Sequence, residues 1–164
     1  MKKEYIKLGI IFLIVFLCVF IFVFGLNPKY GLSAEQLKNH DNLTAEETIK
    51  LYAYYQNRSD FNKIDDLLSK EALDEAGISE KDADYNQDAI LNPVFLTNIE
   101  KVGTERDKDG FYERRIYVTY WSDNLFVKLG YKPSDKNATY STDMELVKKS
   151  KDSDWVIESI GFWL

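Results

Sequence analysis

The sequence predicts an α+β domain carried behind an N-terminal membrane helix, and three observations predict it. Nineteen uncharged, mostly apolar residues run from Leu8 to Leu26. Apolar residues then recur at helical spacing between residues 45 and 70. After Pro93 the period falls to two, the signature of strands.

The leader comes first. About 20 apolar residues, rising roughly 1.5 Å each, cross a hydrocarbon core near 30 Å thick, and residues 8–26 meet that length. A cleavable signal peptide has an apolar stretch of about 7–15 residues and a small-x-small cleavage site. Here the run is longer, and the nearest cleavage candidate, Leu32-Ser33-Ala34, has a bulky first position. An uncleaved signal anchor is therefore expected, with a secreted form after cleavage before Glu35 as the alternative. Lys2, Lys3 and Lys7 precede the run and only Lys29 follows it closely, which keeps residues 1–7 in the cytoplasm and sends the rest outward. Cys18 lies inside the run between Leu17 and Val19, without the small preceding residue of a lipidated cysteine, and reads as an apolar filler. It is the only cysteine, so the remainder can form no internal disulfide, which suits a bacterial envelope better than a secreted eukaryotic module.

Composition narrows the partners. The formal net charge is −6; residues 1–7 contribute +2, so the remainder carries −8. Such a surface repels phosphate backbones, and no nucleic acid is expected to bind. Removing the anchor leaves about 135 residues, one domain, and its aromatic richness belongs to a packed core rather than to a disordered tail.

Residues 27–42 hold Pro, Gly, Ser and Asn among scattered charges and read as a juxtamembrane stalk, with His40 solvated within it. The domain is expected over residues 43–164. Thr44-Ala-Glu-Glu47 is a capping box opening a helix from Ala45 to Arg58. Asp60 is placed to cap a second helix, whose buried side is Phe61, Ile64, Leu67 and Leu68 and which runs to Lys70; a further turn or two ends at Gly77. Residues 79–88 are polar and acidic. Strands are expected at 94–104, 111–121, 140–149 and 155–163, with Asp109-Gly110 as a hairpin turn between the first two. The second has apolar residues on both faces and is expected at the centre of a curved sheet.

Two stretches carry a family resemblance. Leu43 to Leu68, a capped helix, a polar break and a helix ending in a leucine pair, resembles the opening of nuclear transport factor 2-like (cystatin-like) domains. Asp154-Trp-Val-Ile-Glu-Ser-Ile-Gly161 is similar to their final strand, where a tryptophan begins the strand and a glycine ends it. More narrowly, both ends resemble a domain-of-unknown-function group of exported or membrane-anchored clostridial-type proteins within that superfamily. The resemblance implies a cone in which helices pack on a curved antiparallel sheet. It imports no activity, because the superfamily holds enzymes, binding modules and assembly parts.

In such a cone Tyr52, Tyr55, Phe61, Tyr117, Trp121, Trp155 and Phe162 are the candidates to line a pocket, and a packed core is the plainer reading of the same residues. Pocket enzymes of the isomerase or dehydratase type need an Asp, His or Tyr tuned for proton transfer, whereas the acids here fall in turns, caps and charged faces. No phosphate loop or metal-spaced His/Cys set occurs, and Asp82, Asp84 and Asp88 lack the glycine and terminal Glu of a calcium loop. No catalytic residue, metal or cofactor is expected. Glu113-Arg114-Arg115 puts cations on opposite faces of a strand, as surface ion pairs do. The reading is a single-pass, extracytoplasmic binding module of a bacterial envelope, held through residues 8–26, with an envelope protein or a small apolar ligand as partner. An assembly subunit of an envelope or conjugation-type complex, and a pocket enzyme, are the alternatives.

Overall fold

The computed structural model describes residues 2–20, 29–58, 60–76, 94–107, 112–122 and 140–162. In chain order these form α1 (Lys2–Phe20), α2 (Ala45–Gln56), α3 (Phe61–Asp65), α4 (Lys70–Ala76), β1 (Phe95–Arg106), β2 (Glu113–Ser122), β3 (Tyr140–Lys148) and β4 (Val156–Phe162). The four strands make one antiparallel sheet in the order β1-β2-β3-β4, so β2 is interior as its two-faced apolar pattern predicts. The class is α+β, with helices ahead of an antiparallel meander.

After Lys7, α1 is uncharged and mostly apolar on every side. Ile10, Leu13, Ile14, Val15 and Leu17 are each more than half exposed. Among the described residues no helix is long and apolar enough to cross a membrane. The expected span, residues 8–26, continues past Phe20 into residues 21–26, which lie outside the described residues. So do the expected polar segment 79–88, the Gly77 stop and the Asp109-Gly110 turn; among the described residues, the Asp107 amide donates to the Tyr112 carbonyl at 3.1 Å beside the paired ends of β1 and β2.

α2 starts where its capping box places it. The Thr44 hydroxyl accepts from the Glu47 amide at 3.2 Å, and Glu47 Oε2 accepts from the Thr44 amide at 2.8 Å. The Glu47 carboxyl is held below its usual range chiefly by the Thr44 amide and hydroxyl. Its buried side, Ala45, Ile49, Leu51, Tyr52, Ala53 and Tyr55, packs on the inner face of the sheet. That face presents Leu96, Tyr117, Trp121, Met144, Leu146 and Ile157.

The second expected helix is shorter than its pattern suggests. α3 stops at Asp65, and the pair Leu67-Leu68 leaves the helix to join β4: the Ile157 amide donates to the Leu67 carbonyl at 2.9 Å and the Ser69 amide to the Ile157 carbonyl at 2.8 Å. Both leucines remain buried. An extended bridge satisfies backbone groups that a continued helix would have satisfied internally, and so the apolar spacing could not distinguish them. Asp60 makes no side-chain cap; its carboxylate lies 3.7 Å from Lys63. Ser69 caps α4 instead, accepting from the Ala72 amide at 3.0 Å.

Residues 29–42 are not a free stalk. Leu32 belongs to the core, Tyr30 and Leu37 pack against it, and Ser33 and Gln36 form a reciprocal capping pair around a helical turn. Tyr30 and Asn42 take left-handed backbone angles (φ 50° and 59°), with Gly31 at φ 80° beside Tyr30. A left-handed tyrosine is costly for its backbone, and its side chain is correspondingly well held. The Tyr30 hydroxyl meets Asn57 Nδ2 at 2.7 Å and the Leu96 amide at 3.3 Å, tying the end of α2 to the start of β1.

Candidate functional site

The aromatic set drawn from the sequence does converge. Tyr52, Tyr55, Tyr117, Trp121 and Trp155 are buried in one cluster with Phe61 packed against it. Phe162 is placed opposite Thr142 at the end of β4, and its side chain lies outside what is described.

Alternation along β2 explains the arrangement. Tyr117, Thr119 and Trp121 share the inner face, and register places Thr119 opposite Thr142 and Tyr117 opposite Met144. At the centre of that face is a polar knot. Trp121 Nε1 donates to Thr119 Oγ1 at 2.8 Å and approaches Thr142 Oγ1 at 3.1 Å; the two threonine oxygens are 2.7 Å apart, and Thr119 Oγ1 donates to the Thr142 carbonyl at 3.0 Å. All three side chains are almost wholly buried. Each polar atom thus finds its partner in the protein, as a core requires.

At the other end of β2, Glu113 joins two cations. One carboxylate oxygen is 3.1 Å from Arg106 Nε and the other 2.6 Å from Arg115 Nε. The Arg115 guanidinium lies over the Trp155 ring, 4.5 Å from its centre, and also bonds Tyr117. Burial works against the Arg115 charge, and Glu113 and Tyr117 outweigh it, leaving the guanidinium above its ordinary pKa. Burial pushes the Tyr117 phenol up against the lowering influence of Arg115. Arg114, on the opposite face, pairs with Glu158 at 2.7 Å and Glu145 at 3.6 Å. The two neighbouring arginines therefore serve different faces, as the alternation of the strand dictates.

His40, expected in solvent, is half-buried instead. Its Nε2 is 2.9 Å from the Tyr55 hydroxyl, which donates to the Leu37 carbonyl at 3.0 Å. Burial, with Asp60, Tyr54 and Asp66 adding to it, raises the Tyr55 pKa to about 12. No local pattern signals this trio, whose members come from the segment ahead of α2 and from its last turn. Chemically the arrangement is a set of satisfied donors and acceptors around aromatic rings. Burial holds the Tyr55 and Tyr117 phenols neutral well above ordinary pH.

No family model matches the chain, and no curated protein or solved structure matches it either.

Proposed function

We propose that this protein is a single-pass, membrane-anchored binding module whose domain, of nuclear transport factor 2-like fold, lies outside a bacterial cytoplasmic membrane. The observation that carries the reading is α1, a helix with lysines in its first two turns whose apolar side chains beyond them are exposed on every side. Leaving one such side chain in water rather than in an apolar medium costs about 1.5–3 kcal/mol, and this helix carries at least five. Retention of the leader is supported by residues 29–42 behind it: cleavage before Glu35 would remove Tyr30 and Leu32, both of which pack in the domain. The fold is supported by helices preceding a four-strand antiparallel meander and packing on one of its faces.

Binding rather than catalysis is supported by the inner face of the sheet, where the Trp121, Thr119 and Thr142 side chains bond one another and Glu113 joins Arg106 to Arg115. The partner proposed is an envelope protein or a small apolar ligand meeting the domain at the membrane surface, where tethering raises effective concentration.

The test expresses the full chain in a Gram-positive host. It is expected to stay with the membrane through alkaline carbonate washing and to lose its domain when intact protoplasts are treated with protease. A carbonate-soluble chain, or a mature N-terminus at Glu35, would overturn the anchor. Turnover of a small carbonyl substrate that Tyr117→Phe abolishes in a still-folded chain would overturn the binding reading in favour of a pocket enzyme.

A further inference from the structure

Residues 29–42 carry more structure than a tether needs. Tyr30 clasps Asn57 and the Leu96 amide, Leu32 is buried, Gln36 Nε2 donates to Glu47 Oε1 at 2.6 Å, Leu37 and His40 engage Tyr55, and the Asn42 amide donates to Asp154 Oδ1 at 3.0 Å. These contacts reach α2, β1 and the approach to β4, so the segment is fixed along its whole length to one side of the domain.

We infer that this segment is a rigid strap that sets one orientation of the domain on the membrane. The end where Tyr30 joins Asn57 and Leu96 faces the lipid, and the β1–β2 hairpin end points away. The inference rests on the anchored reading above. Geometry makes it sharp. From Leu26, where the apolar run ends, to Tyr30 there are four residue steps of at most about 3.5 Å, so the clasp lies within about 14 Å of the membrane edge. A free tether of the sixteen residues 27–42 would instead have a root-mean-square reach of about 22 Å and no preferred orientation. At a rise of about 3.3 Å per residue, β1 carries Asp107 roughly 35 Å from Leu96. The two ends of the domain are thus distinguishable by depth.

The experiment places a spin label at Arg58→Cys or at Asp107→Cys, both exposed positions, in a full chain carrying Cys18→Ser and incorporated in liposomes with nickel-chelating headgroups. Relaxation by the headgroup nickel should be several-fold stronger at position 58 than at 107. Inserting ten Gly/Ser residues between Asn27 and Pro28 leaves every strap contact intact and should bring the two labels close to equality. Equal relaxation in the parent chain, or an unchanged difference after the insertion, would overturn the strap and leave the anchor standing. A chain that fails to float with the liposomes would overturn both.

Discussion

Because the Tyr55 hydroxyl gives its proton to the Leu37 carbonyl, His40 Nε2 is the donor in the contact between His40 and Tyr55. One phenol therefore holds two points of the strap, and its ring is flanked by Lys63, whose ammonium lies 5.2 Å from the ring centre. Tyr55→Phe removes both hydrogen bonds while keeping the ring, and a destabilisation of about 1–3 kcal/mol is expected. His40→Ala alone should cost less, and the two changes together less than their sum, because they share one interaction. Urea unfolding of the full chain in micelles, followed by tryptophan fluorescence, checks this. Additive losses would show that the two residues do not act as a pair.

The knot under α2 predicts an order of sensitivity. Thr119→Val keeps the branched shape but removes the hydroxyl that donates to the Thr142 carbonyl and leaves Trp121 Nε1 only its longer contact with Thr142 Oγ1, whereas Thr142→Val leaves the shorter Trp121–Thr119 bond in place. Loss of a buried partner costs about 1–3 kcal/mol, so Thr119→Val should lower the melting temperature more than Thr142→Val. The reverse order in a calorimetric scan would contradict the assigned roles.

Stability should fall at both ends of the pH scale. Burial raises the pKa of Tyr30, Tyr55 and Tyr117 in the folded chain. Below about pH 10, the ordinary tyrosine value, their neutral forms are shared by both states and the full stability is present. Above it the unfolded chain ionises first, and stability drains as pH rises toward about 12, where Tyr55 titrates in the folded state. Phenolate absorbance should therefore appear in two stages, exposed tyrosines first and these three at higher pH. Glu47 acts in the opposite sense: its lowered pKa adds stability above the ordinary carboxylate value that is lost as pH falls through the lowered one. Glu47→Gln should flatten part of that acid limb in unfolding curves.

Legibility followed locality. The Thr44–Glu47 box spans four residues and is readable in full, and the four strands are readable to within two residues at each end, because alternation is a nearest-neighbour pattern. The aromatic set could be gathered because large rings on inward positions have nowhere else to go. The strap escaped because its composition is polar and its apolar anchors, Tyr30, Leu32 and Leu37, follow no period. Their partners lie in other elements, as Leu96 is to Tyr30. The spacing of Leu67 and Leu68 marks them as buried without showing that they leave the helix, since only their distant partner Ile157 reveals the extended bridge.

The pairing of Asn42 with Asp154 spans 112 residues, and Leu67 waits on Ile157 in the same way. Synthesis is vectorial, so the strap and the leucine pair emerge long before the strand that secures them. Until β4 arrives, the early half of the domain has an open seam, and its closing contacts are made late by the demands of topology. If the chain is exported as proposed, it would remain slack and threadable until β4 had cleared the translocation channel, and only then lock.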